Sequence, residues 1–263
     1  SVAVGYYAMT SGTSAGITAV GSHALQSLTD GVGHTAVGFE TLMTATEHSY
    51  STAIGYQALK VMGAAHANTA VGYHAGLATT TGASNTFVGS DAGLTNTEGE
   101  ENVLVGAAAG DSVTTGSQNT GVGTNALQAT TTADGNTAIG RSALYTNTTG
   151  ATNTAVGKNA LYNNTDATSN VGVGFSSGLH VTTGSYNTLV GLYAGAAANG
   201  ITTGSQNTII GANTSTNAAN GVGLITIGYN VAGQEDYHFT FGNGGSHRVY
   251  NAFNSNASWT RSS

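Results

Sequence analysis

The 263-residue chain has no cysteine and no proline. Without cysteine it has no disulfide framework, no thiol nucleophile and no thiolate metal site. Charge is nearly as scarce, at 6% of residues against about 25% in an ordinary globular domain. Hydroxyl and amide side chains must therefore keep the surface soluble. Five Lys+Arg against twelve Asp+Glu give a formal net charge of −7. That balance argues against nucleic-acid binding, which depends on neutralising phosphates with cations. No apolar run approaches the roughly 20 residues of a membrane span, so membrane insertion is not expected. Neither an initiator Met nor a signal peptide stands before Ser1, which falls in mid-repeat. The expectation is a piece of a longer chain. Disordered chains of similar Gly/Ser/Thr content usually carry Pro and charge and lack β-branched residues. Here the β-branched residues are many and regularly placed, and order is the better reading.

What is abundant is a repeat. Aligned on the pair Val/Ile-Gly, the chain places an anchor glycine at Gly5, Gly21, Gly38, Gly55, Gly72, Gly89, Gly106, Gly123, Gly140, Gly157, Gly174, Gly191, Gly211 and Gly228. Eleven of the thirteen intervals are 17 residues, and the others are 16 and 20. The consensus is N-T-A-V-G-x-x-A-L/G followed by a Thr/Gly/Asn-rich stretch. This predicts an all-β parallel solenoid of fourteen coils, each with two short strands joined by two turns. At about 4.8 Å per coil the array would be on the order of 65 Å long.

Alternate strand positions face one side, and β-branched residues suit a half-buried pleated surface. The Val/Ile before each anchor glycine and the Thr, Val or Ile two places earlier are therefore expected to form the core. Val71, Val88, Val105, Val122, Ile139, Val156, Thr86, Thr120, Thr137 and Thr154 represent these columns. Three residues past the anchor, Ala in ten coils marks a second inward column. The anchor glycine is expected where the backbone needs positive φ or close approach. A second glycine ten residues on (Gly82, Gly99, Gly116, Gly150, Gly184) serves the other turn. An Asn ladder is expected from Asn68, Asn85, Asn102, Asn119, Asn136, Asn153, Asn170, Asn187 and Asn207, stacked one coil apart. Glycosylation of the Asn-x-Thr matches would not explain that register.

Between the two expected core positions lies an uncharged column that alternation turns outward. Ala53, Ala70, Phe87, Leu104, Ala138, Ala155, Leu189 and Ile209 belong to it. A continuous apolar stripe signals an interface, and a 17-residue coil encloses a thin core that is marginal alone. These eight residues are therefore expected to join three copies in a homotrimer. A β-prism of interleaved strands from three chains stays open as an alternative packing.

The N-T-A-V-G-x-x-A pattern resembles the head repeat of trimeric autotransporter adhesins of the YadA type, over residues 1 to about 232. That resemblance implies a left-handed parallel β-roll; the family's coils are shorter, so the T-T-G segments would lengthen one turn. The chain is more similar to bacteriophage tail-fibre and spike proteins with N-T-A-V-G-Y-x-A-L arrays, matched at Tyr6, Tyr56 and Tyr73. Such arrays end in I-G-Y-N, here Ile227 to Asn230, followed by a β-rich neck and a W-T-x-S-S segment, here Trp259 to Ser263. Next comes an intramolecular chaperone that trimerises the fibre and cuts itself off. The resemblance implies a solenoid shaft over 1–232, a neck over 233–263 and a maturation terminus at Ser263. It also implies a virion location, other virion proteins on the N-terminal side, and a glycan or protein receptor on the host surface. A cell-surface adhesin head is the runner-up, and a polysaccharide depolymerase the third.

Specific chemistry is weakly signalled. The carboxylates needed by a glycosidase occur singly at turns, apart from Glu98, Glu100 and Glu101 in one turn. G-x-S-x-G is absent. No enzyme activity and no cofactor are expected. His23 and His74 share a slot but lie three coils apart, too far for one ion. His238 and His247 are the candidates for an ion on a threefold axis, against the plainer reading of exposed polar residues. Tyr6, Tyr7, Phe39, Tyr56, Tyr73, Phe175, Tyr193 and Tyr229 follow the anchors and could stack on sugars or, the favoured reading, cover seams between chains. Tyr237, Tyr250 and Trp259 in the neck are possible receptor contacts. Ice binding is set aside, because the Thr column is expected to point inward.

Overall fold

The computed structural model describes residues 1–10, 15–47, 49–197, 200–244 and 247–252. The chain forms two compact units, Ser1–Gly135 and Asn136–Ser263. The first holds eight three-residue strands: β1 Val2–Val4, β2 Thr18–Val20, β3 Thr35–Val37, β4 Thr52–Ile54, β5 Thr69–Val71, β6 Thr86–Val88, β7 Val103–Val105 and β8 Thr120–Val122. The second holds β9 Thr137–Ile139, β10 Thr154–Val156, β11 Val171–Val173, β12 Thr188–Val190, β13 Thr208–Ile210, β14 Ile225–Tyr229, β15 His238–Asn243 and β16 His247–Ala252. Within each unit successive strands pair in parallel and in register, as Thr52↔Thr69 with Ile54↔Val71 and Thr154↔Val171 with Val156↔Val173. The fold is an all-β parallel solenoid with one strand per coil.

In the second unit the parallel stacking runs past β14. Ile225 pairs with Phe239 and Gly228 with Gly242, so β15 occupies the place of a further coil at a shorter step. Only β16 reverses, pairing antiparallel with β15. Gly242 stands where a side chain would collide with the neighbouring backbone at Arg248.

The second strand expected in each coil is replaced by a run of turns. Two residues past each anchor, and often four past, the backbone is left-handed: Gln57 (φ 56°) and Leu59 (φ 49°), Asn125 (φ 58°) and Leu127 (φ 57°). The coil-to-coil hydrogen bonds persist here, as from Gln57 N to Phe39 O at 2.9 Å and from Leu59 N to Ala75 O at 3.0 Å. Because left-handed residues break strict alternation, sequence neighbours can both turn inward. Ala58 and Leu59 are both fully buried, and so are Ala126 and Leu127.

That geometry also reverses the expected parity of the strand. The central residue of each strand is the inward one. Ala53, Ala70, Phe87, Leu104, Ala138, Ala155, Leu189 and Ile209 are all 0% exposed, so none can be the contact between copies. The residues expected as core face outward instead. Val71, Val88, Val105, Val156, Thr86, Thr120, Thr137 and Thr154 are half-buried, while Val122 and Ile139 are 37% and 42% exposed. The physical reason is width. A coil of this size has room for one small strand side chain opposite the Leu delivered by the turn, and not for two β-branched columns side by side.

Core volume is conserved by trading bulk between two positions. Where the strand centre is Ala or Gly, the residue four past the anchor is usually Leu: Ala36 with Leu42, Ala53 with Leu59, Gly121 with Leu127, Ala155 with Leu161. Where the centre is large, that position is small: Phe87 with Gly93, Leu104 with Gly110, Leu189 with Gly195 and Ile209 with Ser215. A Cβ on Gly110 would lie 2.6 Å from Leu104 Cδ1, and one on Gly195 would lie 2.9 Å from Leu189 Cδ2. Two coils are small at both positions and borrow bulk from their neighbours. Phe87 and Leu59 fill the space over Gly76, and Leu161 and Leu189 fill that over Gly178. Close packing of this kind makes every methylene felt.

The exchange can be tested by urea denaturation. Leu is already accommodated in the left-handed conformation at this site in other coils, so Gly93→Leu should destabilise through overpacking against Phe87, by about 1–3 kcal/mol. Phe87→Ala should cost about 3–5 kcal/mol. The double variant should be clearly more stable than the sum of the two costs, with a coupling of at least about 1 kcal/mol.

Candidate interaction surface

Beside the apolar interior runs a buried, hydrogen-bonded Asn column. Asn68, Asn85, Asn102, Asn119, Asn136, Asn153, Asn170, Asn187 and Asn207 are all buried, at 0–1% exposure. Each amide nitrogen donates across the coil to a turn carbonyl, as Asn68 to Gly82 at 2.9 Å, Asn102 to Gly116 at 2.8 Å and Asn153 to Ala167 at 2.8 Å. Within each unit the amide oxygen accepts the backbone N–H of the next Asn, as from Asn85 N to Asn68 Oδ1 at 2.8 Å and from Asn170 N to Asn153 Oδ1 at 2.9 Å. Direct amide-to-amide bonds are the minority arrangement, such as Asn187 Nδ2 to Asn170 Oδ1 at 3.1 Å. The column therefore ties strand to turn and coil to coil. Upstream, His34 and Ser51 stand in the same column, both buried, and Ser51 N donates to His34 Nδ1 at 3.3 Å.

A second ladder went unread in the sequence. Thr80, Thr97, Thr114, Thr148, Thr165 and Thr182 each donate their hydroxyl to the carbonyl of the corresponding Thr one coil on, at 3.0–3.2 Å. The regular Thr spacing in the T-T-G segments is its sequence signal.

The outward face of the strands is a paired array. One row is the Val/Ile before each anchor and the other the Thr, Val or Ile two places earlier. Among the exposed members are Val4, Val20, Ile54, Val103 and Val122 in the first unit, and Ile139, Ile210 and Ile227 in the second. The inward Thr column, on which ice binding was set aside, is therefore outward. It forms one Thr-rich row beside one Val/Ile row rather than a continuous hydroxyl surface.

Beside this face, at one and two residues past the anchor, lies a ladder of rings in the first unit. Phe39 stacks on Tyr56 (centroids 5.2 Å apart, planes 17° apart) and Tyr56 on Tyr73 (5.5 Å, 14°). His23 stacks on Tyr7, and His74 packs 3.7 Å from Tyr73. Ring faces are thus largely consumed by one another, leaving edges and hydroxyls outward. The second unit carries Phe175 edge-on to Tyr193, at 5.3 Å.

Titratable groups are dispersed. Glu40 takes a 2.7 Å ion pair with Lys60 and a 2.7 Å hydrogen bond from Gln57. The Lys60 ammonium holds the Glu40 carboxyl below its ordinary value. His74 faces Asp91 across 3.5 Å. Glu98, Glu100 and Glu101 stay in one turn, and Glu235 and Asp236 line a shallow recess with Asn217 and Asn220. Among the described residues no group of three or more His, Asp or Glu could hold a metal ion. His238 and His247 belong to opposite ends of the β15–β16 hairpin, paired with Ala252 and Asn243 respectively. Tyr237 is 56% exposed. The side chain of Tyr250, together with Trp259 and Ser263, lies outside the described residues.

Comparison with protein-family models, curated proteins and solved structures finds no match. The functional reading therefore rests on the chain's own residues and the resemblance they carry.

Three outcomes follow from these contacts. Asn102→Ala leaves the Asn119 N–H and the Gly116 carbonyl without their partner, and should destabilise by about 2–4 kcal/mol in urea melts. Asn102→Asp keeps the acceptor but buries a carboxyl facing the Gly116 carbonyl, which raises its pKa. Stability of that variant should be greatest below the ordinary carboxylate pKa and fall as pH rises through the raised value. For Glu40 the sign is opposite. Its lowered pKa gives stability present above the usual carboxylate range and lost as pH falls through the lowered value. Glu40→Gln should remove that dependence, worth at most about 1 kcal/mol and reduced by salt.

Proposed function

We propose that this chain is a segment of a homotrimeric fibre or spike on a virus particle, and that it helps attach the particle to a host surface. The observation that carries the reading is the outward Val/Ile column. It recurs in all fourteen coils and within each unit presents β-branched apolar surface that a lone copy leaves against water. An exposed stripe of that extent marks an association surface, and the thin core of each coil gains from being covered. The ring ladder of Tyr6, Phe39, Tyr56 and Tyr73 borders the stripe. Stacked rings with consumed faces suit a seam edge better than a sugar platform.

The resemblance to N-T-A-V-G fibre arrays supplies the partner and the setting: sister chains of the same sequence, a virion, and a receptor. Attachment at each copy would be weak, and three copies held together would raise avidity without new contacts. The regular coil supports a mechanical role. Within each unit the strands repeat the same parallel register from coil to coil, as Thr52↔Thr69 and Thr154↔Val171.

Sedimentation equilibrium of the purified chain should give three times the chain mass. Ile54→Lys combined with Val122→Lys places two ammonium groups on the stripe. That variant should sediment as a monomer while its β-sheet circular dichroism is retained. A wild-type monomer at micromolar concentration would overturn the trimeric reading. Adsorption of the labelled wild-type chain to host cells, lost with the trimer, tests attachment.

A further inference from the structure

Of the chain's five Lys and Arg residues, two stand in the same position of successive coils. Arg141 and Lys158 each directly follow the anchor glycine after β9 and β10. Both are exposed, and Asn159 N donates to Arg141 O at 3.0 Å, which fixes the two loops in register. Their side chains therefore leave the backbone about one coil spacing, ~4.8 Å, apart. Like charges set opposite one another on neighbouring strands repel. In a chain of net charge −7 the expected remedy is a nearby carboxylate, as Glu40 provides for Lys60. None is supplied: neither cation has a carboxylate within ion-pair distance among the described residues. The acidic residue of these coils, Asp166, is exposed in the turn on the Thr side and accepts from Thr165 Oγ1 at 3.2 Å.

One coil further, the same position holds Phe175, 38% exposed, with Lys158 Nζ 5.6 Å from its ring centroid. Guanidinium, ammonium and aromatic ring thus follow one another in a line parallel to the stacking axis. We propose that Arg141, Lys158 and Phe175 form a binding site for an acidic glycan, a polysaccharide bearing carboxylate or sulfate groups. Arg141 offers the planar fork that takes an oxyanion through two hydrogen bonds. Lys158 offers a point charge for the next acidic group. Phe175 offers apolar surface to the C–H face of a sugar, with Tyr193 behind it edge-on.

The sparseness of the charge selects the ligand class. Nucleic-acid binders neutralise about 6–10 phosphates, and anionic membranes are held by clusters of about 4–8 cations. Two cations and a ring fit neither. They fit a polymer whose charges are spaced along uncharged sugar surface. The site rests on the attachment reading for its setting, and it lies past the anchor glycine, at the margin of the Val/Ile face.

The test uses the full chain and three immobilised polymers: polygalacturonate for carboxylate, dextran sulfate for sulfate, and neutral dextran. The wild type should bind one or both acidic polymers and not dextran, with affinity falling as salt rises. Arg141→Gln with Lys158→Gln should lose at least about tenfold in affinity, and Phe175→Ala should weaken binding at high salt, where the charges are screened. Equal retention on dextran, or unchanged binding by the double variant, would overturn the site. So would loss of the oligomer in the double variant by sedimentation, because the pair would then belong to the seam. A wild type that binds acidic polymer as a monomer leaves this site standing and removes the trimeric reading. A trimer that adsorbs to cells but ignores all three polymers does the reverse.

Discussion

Each coil hangs on hydrogen bonds that run along the stacking axis, and in nine coils a buried Asn adds its side chain to them. A turn carbonyl facing the interior of so thin a coil has no water to bond, and an unpaired buried carbonyl costs about 1–3 kcal/mol. The Asn amide nitrogen meets it from across the coil, while its oxygen receives the next coil's backbone N–H. Where the column is Asn, one side chain thereby bonds both across its own coil and to the next. The anchor glycines approach just as closely where the column holds His34 and Ser51, with a Cβ on Gly38 placed 2.7 Å from the carbonyl carbon of Gly55. A Cβ on Gly55 would sit 2.7 Å from the carbonyl carbon of Gly72, so no larger residue fits.

With width and step fixed, the remaining freedom lies in how the apolar interior is filled. The strand centre and the residue four past the anchor share one space, and the sequence divides the bulk between them coil by coil. Phe87 is the extreme case, filling its own coil and the space over Gly76 in the one before. Such sharing between neighbours is the nearest-neighbour coupling expected of solenoid repeats. It also explains why the interior column carries no charge, which taken alone looks like the mark of an interface.

The exterior divides in function along the same lines. The strands present Val, Ile and Thr, the surface proposed to meet a sister chain. The positions just past each anchor vary in chemistry: rings over the first coils, Arg141 and Lys158 further on, then Phe175 and Tyr193. Thr hydroxyls on the long turn are spent on the axial ladder, which leaves that side with little chemistry of its own. Variation confined to one line of a regular scaffold is where recognition can change without disturbing the fold.

The sequence by itself determined the repeat, the coil length, the parallel stacking, the anchor-glycine turn and the Asn positions, because each recurs as a fixed column whose chemistry has one sensible use. It did not determine which side of a three-residue strand faces in. Ala53 and Ile54 differ by one position, and alternation alone allows either parity. Tertiary structure decided it, through left-handed residues such as Gln57 and Leu59 that bring Ala58 and Leu59 inward together and leave space only for the strand's central side chain. The reciprocal pairs Ala36/Leu42 and Phe87/Gly93 carried that information in the sequence. Reading them needs the turn's path, which brings positions six residues apart into one cavity.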